Sequence, residues 1–249
     1  MDAAISDYGN SIKINPENWS TYFNRGITFS KLSKQKEALK DYDKVIEIDP
    51  QNIMALLNRG NIYSDLGQQE QAIKEFDRII EMNPQDIMAL NNRGLAYNEL
   101  GLSERALEDF DKAIQLNGEL AFVFLNRGNA YGDMGQYDRT IQDCNKAIDL
   151  NPNFAEAYTN RGLAYSNIGD YADAIQDFNK AIAINPQFIT AYYNRGRTYM
   201  ILGKMDLAIQ DFNKALEIDP KYIDAYDVRG VAFASLNEYK AAIQDFDKA

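Results

Sequence analysis

The chain has 249 residues, of which 45% are hydrophobic and 25% charged, proportions that are typical of a packed, folded protein. Its formal net charge of −11 repels phosphate backbones, which excludes nucleic acid as an expected partner. It has no histidine and one cysteine, Cys144, so it lacks the commonest general base, the commonest metal ligand and any internal disulfide.

The remaining acidic residues are not grouped with a nucleophile or a glycine-rich phosphate loop. We therefore expect a protein that is not an enzyme and that needs neither a metal nor a cofactor. No apolar run approaches the roughly 18 residues of a membrane span. A single cysteine fits a reducing compartment, and we expect a cytoplasmic location.

One phrase, Asn-Arg-Gly, recurs along the chain at a fixed spacing of 34 residues. Its copies begin at Asn24, Asn58, Asn92, Asn126, Asn160 and Asn194, and an altered copy begins at Val228. A fixed period in this range is typical of repeat architectures. We delimit one array over 1–249, with a half repeat 1–18, six full repeats and a truncated repeat 223–249. The full repeats are 19–52, 53–86, 87–120, 121–154, 155–188 and 189–222.

Each repeat carries two stretches with apolar residues at helical spacing, which predict two amphipathic helices of about 14 residues. In repeat 155–188, Gly169 lies between them, where the end of a helix favours a left-handed residue. The second helix is expected to end at Asn185-Pro186, because proline cannot continue a helix. Other repeats have Gly67, Gly101, Gly135 and Gly203 at the place of Gly169, with Ser33 and Asn237 as exceptions.

The glycine of the repeated phrase lies within a predicted helix, where it costs about 1 kcal/mol relative to alanine. We expect close packing against an alanine of the partner helix, as between Gly162 and Ala174. The fourth repeat has Thr140 at the alanine place and Cys144 where other repeats have an aromatic residue. This exchange predicts volume compensation, with Cys144 buried in the core rather than reactive.

The pattern resembles the tetratricopeptide repeat family along the whole chain. In repeat 155–188 the family's places are occupied by Tyr158, Gly162, Tyr165, Ala174, Phe178, Ala181 and Pro186. One departure is systematic, because arginine precedes the glycine in all seven copies where the family usually has leucine. The resemblance implies an all-α, right-handed superhelical solenoid of antiparallel helix pairs. It also implies a groove, lined by the first helix of each pair, that binds peptides or proteins.

The helical wheel places one asparagine of each full repeat opposite the packed face of the first helix. The row consists of Asn24, Asn58, Asn92, Asn126, Asn160 and Asn194. A primary amide donates and accepts, so each could pair with the backbone of an extended polypeptide. In the alternative interpretation each asparagine bonds only within its own or the adjacent repeat.

Apolar and acidic residues share the predicted groove. The apolar candidates for peptide contact are Met54, Leu57, Met88, Leu95, Phe122 and Leu125. The charged residues there are two cations, Lys31 and Arg197, and six acids, Asp65, Glu99, Asp133, Glu156, Asp224 and Asp227. We therefore expect a scaffold for an extended polypeptide that is neutral to basic, and not for an acidic tail.

The seven arginines of the phrase could form a basic stripe for a ligand or pair with carboxylates. A carboxylate recurs in the second helices with the same period, and we favour structural pairing. For Arg161 the expected partner is Asp143 or Asp177.

Apolar residues at both ends of the array lack a neighbouring repeat. They are Ala4, Ile5 and Tyr8 at one end, and Ile243 and Phe246 at the other. We expect either a longer array or end-to-end association between copies. Two functions thus stay open beside peptide binding: a homotypic assembly module, and a regulatory segment of a longer multidomain protein.

Overall fold

A computed structural model describes residues 2–249. This part of the chain consists of α-helices joined by short turns, without a β-strand, and it forms two compact units, 1–118 and 119–249. Unit 1 contains α1 (Asp2–Ile14), α2 (Trp19–Lys31), α3 (Gln35–Ile48), α4 (Ile53–Asp65), α5 (Gln69–Met82), α6 (Ile87–Glu99) and α7 (Ser103–Leu116).

Unit 2 continues the same alternation of first and second helices. It contains α8 (Ala121–Asp133), α9 (Tyr137–Leu150), α10 (Ala155–Ile168), α11 (Tyr171–Ile184), α12 (Ile189–Ile201), α13 (Met205–Ile218), α14 (Ile223–Ser235) and α15 (Tyr239–Phe246). The prediction of two helices per repeat is confirmed, with first helices of 13 or 14 residues in the full repeats.

The turns between paired helices have the backbone conformation expected from the sequence. Gly67 has φ 71° and Gly169 has φ 91°, and the two non-glycine exceptions, Ser33 and Asn237, have φ 56° and 64°. In the turn at Gly67 the Gln68 N–H donates to the Tyr63 carbonyl at 2.8 Å, which closes the end of α4. Such short turns bring the paired helices side by side and antiparallel.

First helices of neighbouring repeats also contact one another within each unit. In unit 1, α4 contacts α6, and in unit 2, α8 contacts α10, α10 contacts α12, and α12 contacts α14. First helices therefore lie next to each other on one side of each unit. We call the outward side of these helices the first-helix face.

The glycine of the repeated phrase packs against an aromatic ring of the second helix. A Cβ built on Gly60 would lie 2.6 Å from Cε1 of Phe76, and one on Gly162 would lie 2.9 Å from Cε1 of Phe178. The expectation that alanine sets this approach is thus corrected. At Gly162 the alanine contributes as well, since the Ala174 carbonyl oxygen would lie at 3.1 Å.

The fourth repeat packs differently because it has no aromatic ring at this place. The nearest atom to a Cβ on Gly128 would be Asp143 Cβ at 3.3 Å, with Cys144 Sγ at 3.6 Å. Thr140 donates a hydrogen bond from its hydroxyl to the Gly128 carbonyl at 2.9 Å. Cys144 is fully buried, as expected, and burial raises the pKa of its thiol to about 12.

Candidate peptide-binding face

Each arginine of the repeated phrase binds a carboxylate in the second helix of its own repeat. Arg161 donates from Nε to Asp177 Oδ2 at 2.8 Å and from Nη2 to Asp177 Oδ1 at 2.7 Å. The prediction of structural pairing is confirmed. The other pairs are Arg25 with Asp41, Arg59 with Glu75, Arg93 with Asp109, Arg127 with Asp143, Arg195 with Asp211 and Arg229 with Asp245.

Several of these arginines also reach the preceding repeat, which sequence reasoning missed. The Nη1 of Arg59 donates to Asp43, and that of Arg93 donates to Asp77, both at 2.6 Å. For three arginines of unit 2 the acceptors are amides, with Asn145 for Arg161, Asn179 for Arg195 and Asn213 for Arg229. The recurring Asp or Asn at this place of each second helix carried the signal.

These contacts hold the guanidinium groups within the helix packing. The hydrogen bonds that Arg93 donates to Asp109 raise the pKa of Arg93, against the opposing effect of burial. The Arg161 guanidinium also lies over the ring of Tyr158, with its Cζ 5.5 Å from the ring centroid. With their donors used in this way, the arginines do not form a basic stripe for a ligand.

The asparagine row is partly engaged within the protein. Asn92 donates to Asn61 Oδ1 in the preceding repeat at 2.8 Å, and Asn160 donates in the same way to Asn129. Asn58, whose preceding repeat offers no such amide, donates to the Met54 carbonyl of its own helix at 2.7 Å. Each of these bonds uses one of the two N–H groups of the amide. The alternative interpretation thus accounts for one N–H of each of these three amides.

The pairs between repeats leave a signal in the sequence, although the register of the helices is needed to pair the amides. Asn61 and Asn129 stand three residues after an asparagine of the row, so the phrase reads Asn-Arg-Gly-Asn in those two repeats. In the other repeats this place holds Ile27, Leu95, Leu163, Arg197 and Val231.

Two members of the proposed contact set are buried, which corrects their expected exposure. Leu125 is 7% exposed and Asn194 is 8% exposed. Leu125 occupies a place that is buried in other repeats also, as at Phe23, because it faces the packed helices and not the outward side. Asn194 is covered by the helices that pack on α12.

The remaining apolar candidates divide between exposed and packed positions. Met54 is 61% exposed, Met88 45% and Leu95 38%, as expected for the first-helix face. Phe122 is half-buried. Leu57 packs against the core of unit 1, because it shares the inward place of Leu125 in its own repeat.

Unit 2 has exposed apolar residues on its own first-helix face that the predicted contact set does not include. Leu163 is 39% exposed, Ile201 59% and Val231 49%. Leu163 and Val231 stand in register with Leu95, so the 34-residue period could have found them.

The charged residues of the first-helix faces are exposed as expected. They are the cations Lys31 and Arg197 and the acids Asp65, Glu99, Asp133, Glu156, Asp224 and Asp227. The Arg197 guanidinium lies over the ring of Tyr193, with its Cζ 5.8 Å from the ring centroid.

The two ends of the array differ in exposure. Ile243 is 60% exposed and Phe246 is 45% exposed, as expected for residues without a covering repeat. Ala4, Ile5 and Tyr8 are half-buried, since α1 packs on α2.

Comparisons with known proteins identify the family of the repeat. A family profile described as "Tetratricopeptide repeat" matches residues 19–52, 87–120, 121–154, 155–188 and 189–222. The chain belongs to the tetratricopeptide repeat family. Related profiles of the same description and of "TPR repeat" match 41–74 and 60–101. No curated protein sequence matches the chain.

Solved structures of tetratricopeptide repeat proteins share the fold. A tetratricopeptide repeat protein from Parabacteroides merdae has a TM-score of 0.79 and 24% identity, and the match covers 92% of this chain and 91% of that one. MamA has a TM-score of 0.56 and 31% identity, with 65% of this chain and 95% of that one covered. YrrB, described as a TPR protein with an unusual peptide-binding site, has a TM-score of 0.54 and 24% identity, with 74% and 95% covered.

No helix of the described residues is long and apolar enough to cross a membrane. Within the same residues, no group of three or more metal-ligating side chains could hold a metal ion.

Proposed function

We propose that this protein is an interaction scaffold that binds an extended polypeptide, neutral to basic in charge, along its first-helix faces. The observation that carries the proposal is the exposure of large apolar residues beside amides, with Met54 at 61% and Met88 at 45%. Exposed apolar side chains that recur on one face favour a partner that removes them from water. The proposal assigns the protein no catalytic chemistry. It places the protein in the reducing cytoplasm, which suits the free thiol of Cys144.

The asparagine row supports binding of a backbone rather than of a particular side chain. Asn58, Asn92 and Asn160 each keep a second N–H after the bonds within the protein. An amide that is fixed by one hydrogen bond also loses less conformational entropy when it forms another. The bonds between repeats therefore orient these amides for a ligand.

The charges on the first-helix faces decide which sign of net charge the partner should carry. Six exposed acids stand against two exposed cations. A negative surface repels an acidic polypeptide and attracts a basic one, chiefly by raising the rate of association at low salt.

The test starts with peptides selected by the wild-type protein from a displayed library of random sequence. Each amide contact is worth about 1 kcal/mol, so alanine at Asn92, Asn126 and Asn160 together should weaken these peptides on the order of a hundredfold. Fluorescence anisotropy measures the affinities. Circular dichroism is expected to show intact helices, because alanine favours helix formation.

A matched control separates binding from packing. Alanine at Asn129 removes the same internal bond as alanine at Asn160, but leaves the outward amide in place. We expect Asn160→Ala to weaken binding more than Asn129→Ala. Equal affinities for both single variants and for the triple variant would place the binding surface elsewhere.

A second function, association of copies end to end, is favoured by the exposure of Tyr239, Ile243 and Phe246 on α15. Multi-angle light scattering over a wide concentration range tests it, and a constant monomer mass would remove it. A regulatory role within a longer protein remains the third function consistent with the same scaffold.

A further inference from the structure

A recess of about 740 Å³ opens on the first-helix face of unit 1, between α4 and α6. This volume falls within the range of roughly 300–1,000 Å³ in which proteins bind small ligands. The recess is lined by Asn61, Ser64, Asp65, Gly67, Gln69, Asn92, Leu95, Ala96 and Glu99.

Most polar groups of the recess are satisfied by one another. Asn92 donates to Asn61 at 2.8 Å and accepts from Asn91 at 3.0 Å. The Ser64 hydroxyl and the Gln69 side chain bond to each other at 3.1 Å, and Gln69 also donates to the Ser64 carbonyl at 3.3 Å. These bonds fix the walls of the recess, so its shape is formed before any ligand enters.

The two carboxylates are different, because neither has a hydrogen-bond or ion-pair partner among the described residues. Asp65 at the end of α4 and Glu99 at the end of α6 are exposed, and the lining contains no lysine or arginine. The nearest arginines of the repeated phrase are already used, Arg59 by Glu75 and Arg93 by Asp109. The recess therefore carries two negative charges that the protein itself does not neutralise.

The apolar part of the lining indicates a ligand that has an apolar portion beside its charge. Leu95 is 38% exposed beside the carboxylates. Two carboxylates without a third ligand are too few for a metal site in a protein, whereas an aliphatic stem with a cationic head matches both an apolar wall and the acids. A lysine or arginine side chain has this form.

The corresponding place of unit 2 carries less charge. Between α8 and α10 the same amide pair is formed by Asn129 and Asn160, but Asn167 replaces Glu99, so only Asp133 remains acidic. The recess of unit 1 is thus the more acidic of the two places, and Gly132 and Tyr137 stand in unit 2 where unit 1 has Ser64 and Gln69.

We infer that the recess between α4 and α6 binds a lysine or arginine side chain of the polypeptide, with Asp65 and Glu99 contacting the cationic head and Leu95 the stem. This inference rests on the proposed function, for which it names a side chain that the ligand must supply. The remaining N–H of Asn92 lies in the same lining and bonds the backbone next to that side chain.

The experiment titrates the full, isotope-labelled chain with small probes and follows the side-chain amide signals of Asn61 and Asn92 by NMR. The probes are N-acetyl-arginine amide and N-acetyl-lysine amide. Their neutral counterparts are N-acetyl-citrulline amide and N-acetyl-norleucine amide. We expect the cationic probes to shift these signals with saturation, and the neutral probes to leave them in place.

A double variant and a charge-matched control test the two carboxylates. Asp65→Asn with Glu99→Gln should raise the half-saturation concentration about tenfold, the sum of two exposed ion pairs. Glu37→Gln with Glu108→Gln removes the same number of charges from exposed positions outside the recess. This control should leave the half-saturation concentration unchanged. Equal shifts by the neutral probes, or equal weakening by both double variants, would overturn the inference.

The outcome is separable from that of the proposed function. Suppose that the selected peptides depend on the asparagine row but bind the Asp65→Asn, Glu99→Gln variant as tightly as wild type. The proposed scaffold function would then stand, and the inference about the recess would be removed. If the arginine probe binds saturably but no selected peptide depends on the asparagine row, the recess stands and the proposed peptide-binding function is removed.

Discussion

The ring of Phe110 occupies the space beside Gly94, where a Cβ would lie 2.7 Å from its Cε1 atom. Phe110 is fully buried, so the ring cannot move aside without disturbing its other contacts. The same close approach of ring to glycine occurs in each of the remaining repeats that has an aromatic residue at the place of Phe110. It explains why a residue that weakens helices recurs within the first helices.

We expect Gly94→Ala to destabilise unit 1, since overpacking of about 1–3 kcal/mol exceeds the gain of about 1 kcal/mol in helix propensity. Gly128→Ala is the matched control, because the nearest atom there would lie at 3.3 Å and no ring is present. Its effect should be close to zero. Urea denaturation followed by circular dichroism gives both values, and equal destabilisation by the two variants would contradict the assignment to the ring.

The Arg161–Asp177 pair predicts a large effect when one member is removed. Asp177 is 5% exposed, and Arg161→Leu would leave its carboxylate buried without a cation. We expect a loss of roughly 2–4 kcal/mol, because breaking a buried pair is costlier than replacing it. Adding Asp177→Leu should restore most of the stability. Thermal unfolding midpoints measure both, and an unchanged midpoint for Arg161→Leu alone would show that the pair contributes nothing.

Cys144 predicts a loss of stability at high pH. Burial raises the pKa of its thiol from 9.0 to about 12, so the folded protein holds this proton more tightly than the unfolded chain. The contribution is complete below pH 9 and is lost as pH rises from 9 towards 12, by at most about 1.4 kcal/mol per pH unit. Urea midpoints at pH 8 and pH 11 should therefore fall further for wild type than for Cys144→Ala. The same fall in both proteins would exclude the thiol as its source.

Tyr42 predicts a stabilising substitution. It is fully buried, and its hydroxyl forms no hydrogen bond of normal geometry in the described chain. Burial raises the pKa of this hydroxyl, against the opposing effect of the nearby Ser30 side chain. Phenylalanine holds this place in most other repeats, so Tyr42→Phe should raise the free energy of unfolding by about 1 kcal/mol. The control is Tyr63→Phe. Tyr63 is only half-buried, and its hydroxyl is not a buried atom that lacks a hydrogen bond. A clear loss of stability for Tyr42→Phe would mean that the hydroxyl is bonded.

The helices and the turns could be predicted from one repeat read alone, and the arginine pairs from the period that the arginines and carboxylates share. Helical spacing fixes the packed face, Gly169 fixes the turn, and a cation and an anion with the same period fix the pair. The glycine was assigned to the wrong neighbour, since the sequence does not give the depth at which Phe178 enters between the helices.

The parts of the binding face that were missed depend on two repeats at once. A helical wheel describes one helix, so it could not show that Leu125 faces the packed helices. The bond from Asn92 to Asn61 depends on the register between α4 and α6, which the sequence does not state. The recess between these helices was unpredictable for the same reason.

The arginine contacts to the preceding repeat differ in kind between the two units, and this sets how each unit responds to salt. Arg59 and Arg93 of unit 1 donate to exposed carboxylates, with the side chain of Asp43 57% exposed and that of Asp77 41% exposed. Arg161, Arg195 and Arg229 of unit 2 donate to neutral amides instead. Dissolved ions screen exposed ionic links far more than bonds to amides. Added salt should therefore weaken the links of Arg59 and Arg93 to the preceding repeat more than the links of Arg161, Arg195 and Arg229.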